Sequence, residues 1–209
     1  DLPEQIYPTP LEFEMSGVQL RMYREMQIEF AASLPATPEP DEEVVYARHI
    51  ANSFEKLIQI SRGFVIDNEG RAREIVAVKD NPALRTARAA VEGSVGKVIV
   101  FACHSYTVDM LSEAFRDMGC VTLRGGMDEA DVEACKLAFN QDPAVRVIVA
   151  QTSVGSKGHT LIGTVDHRCS TTLFFENTFS LEQRIQAESR NHRFGSDRGV
   201  VYLDLAGSS

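Results

Sequence analysis

Lys97-Val-Ile-Val-Phe-Ala-Cys-His-Ser105 is a continuous apolar run that stops at a polar loop, and an amphipathic stretch from Thr107 to Met118 follows it. A strand with one wet face would alternate, whereas a continuous run is buried on both faces. The unit recurs as Val121–Leu123 then Asp128–Phe139, and as Val145–Ala150 then a glycine-bearing loop. Thr172–Phe175 followed by Leu181–Arg190 repeats it, and Val200–Leu205 closes the series. Buried strands alternating with helices predict an α/β fold, a doubly wound parallel sheet with helices on both faces. In such sheets, function gathers in the loops beyond the carboxyl ends of the strands. That rule selects Ala102–Tyr106, Arg124–Met127, Gln151–His159 and Glu176–Phe179.

Upstream of Lys97 the texture differs. Glu4 to Glu14 alternates around Ile6, Leu11 and Phe13, an extended segment interrupted by Pro8 and Pro10. Ser16-Gly-Val-Gln19 has capping-box spacing, and Val18, Met22, Met26 and Phe30 mark one face of the helix it opens. After a loop from Leu34 to Pro40, a second helix is predicted from Asp41 on the stripe Val44, Ala47, Ala51, Phe54 and Ile58, with Gly63 ending it. Phe64-Val-Ile and Glu74-Ile-Val-Ala-Val flank Asp67-Asn-Glu-Gly70 as a hairpin, and Asn81-Pro82 opens another helix. The predicted division is residues 1–92, a lead-in strand, helical insertion and hairpin, and residues 93–209, the α/β lobe.

The bulk numbers narrow the function. With 209 residues, 44% hydrophobic and 24% charged, the chain has the composition of a soluble domain with an appendage. No apolar run reaches the roughly 20 residues of a membrane span. The start, Asp1-Leu-Pro-Glu, has neither an initiator Met nor a signal-peptide pattern, so a portion of a longer chain is expected. Cys103, Cys120, Cys135 and Cys169 form no CxxC pair, and they read as free thiols in a reducing cytosol. His167, Cys169 and His159 match no zinc spacing. The net charge of -9 argues against a freestanding high-affinity nucleic-acid binder.

Two constellations bear on chemistry. Gly93-Ser-Val-Gly96-Lys97 looks like a phosphate loop, but Val98 follows the lysine and the segment enters a strand instead of leaving one. The chain alone is therefore not expected to bind and hydrolyse ATP. Gln186-Ala-Glu-Ser-Arg190-Asn-His-Arg193 places a glutamine and two arginines at three- and four-residue spacings, on one face if the helix continues. Paired guanidiniums suit a triphosphate. The same spacing also fits a solvated helix end whose arginines oppose the dipole.

Residues 186–195 resemble motif VI of the Snf2-like branch of superfamily-two helicases, roughly QAxDRxHRxGQ. Gln151-Thr-Ser-Val-Gly155-Ser-Lys-Gly158-His-Thr-Leu161 resembles motif V, and Lys97 to Ser105 resembles motif IV. Gly125-Gly126 through Phe139-Asn140 resembles the stretch after motif IV, so the likeness covers about Lys79 to Leu205 in order. Leu2 to Tyr23 resembles the passage between the two motor lobes, and Gln59 to Phe64 resembles phage and bacterial members.

The resemblance implies a second RecA-like lobe, the C-terminal helicase domain of an ATP-dependent DNA translocase. It implies Arg193 as arginine finger, Arg190 as a second phosphate-facing arginine, and Gln186 as the residue coupling nucleotide to nucleic acid. Gly155 and Gly158 would let backbone approach the ribose and the strand, and Thr152 would meet a nucleic-acid phosphate. Ser105, Gly125 and Gly126 fall where the family touches the tracked strand, and Lys157 and Arg124 stand in the same loops. Tyr106 and Phe179 are candidates to stack on bases or to pack beside the sheet.

The chain departs from the pattern at Ser156, Thr160, Ser189 and Ser196, which touches coupling more than the arginines. ATP and Mg2+ would sit mainly on an N-terminal RecA-like lobe of the same polypeptide. Double-stranded DNA is the implied partner, with a monomeric fragment in the cytoplasm of a bacterial or phage-infected cell and no membrane. Two other readings stay open. One is a stand-alone binding or regulatory module. The other is an unrelated doubly wound enzyme, for which His104 is the candidate base, with no partner visible in the sequence.

Overall fold

The computed structural model describes residues 2–33, 44–46, 50–155, 158, 160–193 and 199–208. In chain order the elements are β1 (Gln5–Ile6), β2 (Leu11–Glu14), α1 (Gly17–Glu29), β3 (Ala31–Ser33), β4 (Val44–Tyr46) and α2 (Ile50–Ser61). Then come β5 (Phe64–Ile66), β6 (Ala72–Glu74), α3 (Pro82–Gly93), β7 (Lys97–Ala102), α4 (Ser105–Ala114) and β8 (Cys120–Leu123). The series ends with α5 (Glu129–Gln141), β9 (Val147–Gln151), α6 (Thr152–Gly155), β10 (Cys169–Phe174), α7 (Leu181–Glu188) and β11 (Val200–Ser208). These residues pack as two compact units, one of residues 1–11 with 87–205 and one of residues 12–86 with 206–209.

In the larger unit the main sheet runs β1-β11-β10-β7-β9-β8, and every neighbouring pair in that order is parallel. This is the doubly wound parallel architecture that the continuous apolar runs predict, and the RecA-like one that the resemblance implies. All six residues of β7 are buried, as a strand flanked and covered on both faces requires. Ile99, Phe101, Leu123, Phe139, Ile148, Phe174 and Tyr202 share one core, within which the Phe101 and Phe174 rings stack at 5.3 Å. The chain leaves β7 towards β8 and β9 on one side and later adds β10 and β11 on the other, so the strand order turns between β7 and β10. Gln5 and Ile6 pair with Val200 and Val201, which is why the lead-in packs with this later unit.

The smaller unit keeps the capping box: the Gln19 amide donates to Ser16 Oγ and the Ser16 amide donates to Gln19 Oε1. Gln19 is itself buried, and its Nε2 donates to the carbonyls of Ile60 (3.0 Å) and Ser61 (2.9 Å), satisfying the end of α2. Met22, Met26, Ala32, Ile60, Val65 and Ile75 form the core around it. The predicted stripe is right at its centre and wrong at its ends. Val18 and Phe30 are exposed, and Phe30 turns left-handed (φ 55°) to end α1.

The helix predicted through Val44 is not formed there: Val44-Val45-Tyr46, a β-branched and aromatic triplet, pairs antiparallel with β3, and α2 covers Ile50–Ser61. On α2 the buried positions among the described side chains are Ser53, Lys56, Gln59, Ile60 and Ser61, while Phe54 is exposed. The loop from Leu34, the start at Asp41 and Ala47 lie outside the described residues.

The hairpin forms between β5 and β6, its second strand beginning earlier than Glu74. Burial would raise the Asp67 carboxyl, but the amides of Arg71 and Glu69 and the Arg71 guanidinium hold it below the usual range. Asn81 Oδ1 accepts from the Leu84 amide at 3.2 Å, capping α3 as predicted.

Candidate functional site

The carboxyl ends of β7, β8 and β9 are tied together by one side chain. Gln151, the last residue of β9, accepts from the Gly125 amide (2.9 Å) and donates to the Cys103 carbonyl (3.1 Å). The loops carrying Ser105 and Gly125-Gly126 are therefore brought side by side, and all three residues are exposed. Gly126 takes φ +84° with open space around it. Arg124 pairs with Asp109 at 2.7 Å where both are exposed.

Other members of the predicted set follow β9. Thr152 is buried, and its hydroxyl donates to the Ala102 carbonyl at 3.1 Å, so the group expected to meet a phosphate is bonded to backbone. Gly155 is buried too. A Cβ there would stand 2.7 Å from Phe101 Cε1 and 2.8 Å from Ala150 Cβ, so packing against the sheet demands its glycine. Gly158 has φ +63° in open space. Ser156, Lys157, His159 and Ser196 lie outside the described residues.

The arginines occupy the far end of α7. Ser180 caps that helix by accepting from the Gln183 amide, and the helix ends at Glu188. Arg190 and Arg193 thus lie beyond the helix, and the turn after it, not a continuous helical face, sets their places. Gln186 donates to Glu182 at 2.9 Å, while its carbonyl accepts from Arg190 Nε at 2.6 Å. Arg190 is 5% exposed, and burial and the neighbouring Arg193 push its guanidinium pKa down. Arg193 is half-buried, and its Nε makes no hydrogen bond among the described residues. A buried guanidinium beside a second cation is costly unless an anion joins it. Arg190 also donates to Ser189 Oγ at 2.8 Å.

The motif V-like and motif VI-like segments touch through the Leu161 amide, which donates to the Arg190 carbonyl at 3.0 Å. Asn140 fixes the same loop, donating to the Thr160 carbonyl and accepting from the amides of Ile162 and Gly163. On the other side His192 meets the Pro3 carbonyl at 2.8 Å, and the Tyr7 hydroxyl donates to Glu188 at 2.9 Å. Burial and Glu188 raise the Tyr7 phenol to about 12.

The phosphate-loop lookalike is structural. Lys97 is buried at the amino end of β7, and its Nζ donates to the carbonyls of Phe139 (2.6 Å) and Asp142 (2.5 Å). Gly96, at φ +78°, lies where a Cβ would meet the Arg168 carbonyl at 2.2 Å.

Two pairings escaped sequence reading. His104 has a partner after all: its Nδ1 lies 3.1 Å from Oε1 of Glu176, a fully buried carboxylate just past β10. Arg184 makes the other, bridging Glu188 and Asp204. An acidic residue directly after a continuous apolar strand was the available signal, since such a carboxylate must find donors. Among the described residues no cluster of metal-ligating side chains occurs, and no helix is long and apolar enough to cross a membrane.

The fold is that of a RecA-like lobe with two arginines, one buried and one half-buried, just beyond α7. No family model matches the chain. The structure is similar to the C-terminal part of the Fun30 ATPase domain, with a TM-score of 0.69 and 13% identity over 100% of this chain and 87% of that one. It is equally similar to the Sulfolobus solfataricus SWI2/SNF2 ATPase core domain, with a TM-score of 0.69 and 16% identity over 99% of this chain and 40% of that one.

In sequence, 111 residues are 27% identical to the human lymphoid-specific helicase, covering 52% of the chain. A further match, 28% over 92 residues and 44% of the chain, is to the fission-yeast (Schizosaccharomyces pombe) TATA-binding protein-associated factor mot1. The chain spans only 13% and 4% of the length of those two relatives. Its fold is that of a Snf2-type ATPase C-terminal lobe.

Proposed function

We propose that this chain is the C-terminal motor lobe of an ATP-dependent DNA translocase or helicase. The observation that carries the reading is the buried Nε of Arg193, which the described residues leave without an acceptor, with Arg190 near enough to feel its charge. The P-loop belongs to an N-terminal lobe of the same polypeptide. ATP with Mg2+ supplies the phosphoryl group and its charge, and the isolated chain hydrolyses nothing.

Arg193 reaches the transferring phosphoryl oxygens as the finger, and Arg190 holds the neighbouring ones. Gln186, on the last turn of α7, relays the state of that site. Ser105, Gly125, Gly126 and Lys157 meet one strand of duplex DNA, and Gly158 lets the backbone approach it. Thr152 and Gly155 hold the loop in place through Ala102 and Phe101. Lobe closure on nucleotide and opening afterwards then move the two lobes along the duplex. The setting is cytoplasmic, and the fragment is a monomer.

The test uses the polypeptide that joins this chain to its P-loop lobe. Arg193→Ala is expected to reduce DNA-stimulated ATPase by roughly a thousandfold, the scale of a lost arginine finger. ATP binding is expected to stay nearly unchanged. Unaltered turnover overturns the assignment.

One observation favours a second reading. The net charge of -9 suits a non-catalytic binding or regulatory module with the same fold better than a DNA-gripping surface. Absence of a P-loop lobe from the parent polypeptide decides for the module.

A further inference from the structure

Where the strand order turns, between β7 and β10, a single carboxylate joins two loops. Glu176 Oε2 accepts from the amides of Cys103 (2.6 Å) and His104 (3.0 Å). Its Oε1 accepts from Thr107 Oγ1 (2.7 Å) and lies 3.1 Å from His104 Nδ1. The residue is 0% exposed, so the two amides and the Thr107 hydroxyl offset the loss of water around a charge.

The arrangement is also unusual for a helix start. His104 occupies the N-cap position of α4 but makes no side-chain capping bond. Glu176, 72 positions away, accepts instead from the amide of His104 and from that of Cys103 before it, just ahead of the helix. A local serine or aspartate stabilises a helix start as well. A remote carboxylate does something more, because it locks the β7–α4 loop to the segment that leads into α7. One side of this joint presents exposed Ser105, and the other leads to Gln186, Arg190 and Arg193. Gln151 adds the third strand end through Cys103 and Gly125.

We infer that Glu176 is a positioning residue for nucleic-acid contact: it sets the conformation of the β7–α4 loop that presents Ser105 and ties that loop to the arginine-bearing segment. The inference deepens the proposed function and rests on it for the identity of the ligand. Burial alone would raise the Glu176 carboxyl, yet His104 and Thr107 hold it below the ordinary range, so the group that receives these bonds is the charged one.

Glu176→Gln in this chain keeps the size of the side chain and removes its charge. Loss of a charge-assisted bond is expected to speed hydrogen exchange of the Cys103 and His104 amides roughly tenfold, with Ile148 and Val149 of β9 unmoved. Thr107→Val keeps the carboxylate and removes one donor, and it is expected to shift the same two amides in the same direction by less. In parallel, binding of a fluorescent 20-base-pair duplex at low salt is expected to weaken about as much in Glu176→Gln.

Unchanged exchange at Cys103 and His104 in both variants overturns the inference, and so does equal acceleration across β9. A loosened loop with duplex affinity intact overturns it as well. If the unaltered chain binds no duplex while the exchange pattern appears, the proposed nucleic-acid function fails and the hold of Glu176 on the loop stands.

Discussion

Arg184 and Arg193 belong to the same short segment and carry the same charge, yet the fold treats them in opposite ways. Arg184 lies over the Phe174 ring, 3.5 Å from its centroid, and grips Asp204 through two nitrogens at 2.6 and 3.1 Å. Its Nε donates to Glu188 at 2.7 Å, and Nη1 also reaches Asn177. Burial would lower its pKa, but Asp204 and Glu188 outweigh burial and raise it. At Arg190 the balance runs the other way, with burial and Arg193 together lowering it. The chain can therefore satisfy a half-buried guanidinium completely when stability is the purpose. Arg193 Nε has no acceptor among the described residues, where every nitrogen of Arg184 has one.

The comparison breaks most visibly at Arg184. Arg184→Met leaves Asp204 and Glu188 facing each other without their cation. The expected cost is about 3 kcal/mol of unfolding free energy, the scale for removing one partner of a poorly solvated ion pair. Chemical denaturation of the isolated chain measures it. A loss under about 0.5 kcal/mol would place Arg184 among ordinary surface pairs and remove the contrast.

Asp204→Asn is the next test. The amide still accepts one bond, and Glu188 and Phe174 still hold the guanidinium, so about 1–2 kcal/mol is expected. A double-mutant cycle with Arg184→Met then isolates the pair, with a coupling energy of about 1–2 kcal/mol. A coupling near zero would mean that Glu188 and the aromatic stack hold Arg184 unaided.

Both arginines also mark what the sequence discloses and what it hides. Val98 to Ala102 reads as a buried strand because burial on both faces writes itself locally, residue after residue. Ser16 with Gln19, and Asn81 before Pro82, are equally local, and both caps stand as read. Val44–Tyr46 misleads because three residues fit a helical stripe as easily as a short strand, and only pairing with Ala31–Ser33 decides between them.

The site divides the same way. Ser105, Gly125 and Gly126 come together as their strand ends require, and Gln151 binds their loops. Glu176 and Arg184 stayed hidden because their partners are distant: Thr107 stands 69 positions from Glu176, and Asp204 stands 20 from Arg184. Thr152 and Gly155 were given ligand roles by resemblance, whereas their nearest neighbours are Ala102, Phe101 and Ala150.

The smallest effect is the most telling one. Arg193→Ala in the isolated chain removes a buried nitrogen that has no acceptor among the described residues, which by itself stabilises, and it removes the packing of an aliphatic stem, which destabilises. The two nearly cancel, so a net change within about 0.5 kcal/mol is expected, against about 3 for Arg184→Met. Inorganic phosphate sharpens the contrast. An anion that binds only the folded chain raises its melting temperature by mass action. The rise is expected in the unaltered chain and in Arg184→Met, and is expected to shrink in Arg193→Ala. If Arg193→Ala instead unfolds the chain as Arg184→Met does, Arg193 is a structural arginine, and the anion it was read as awaiting has no place in the site.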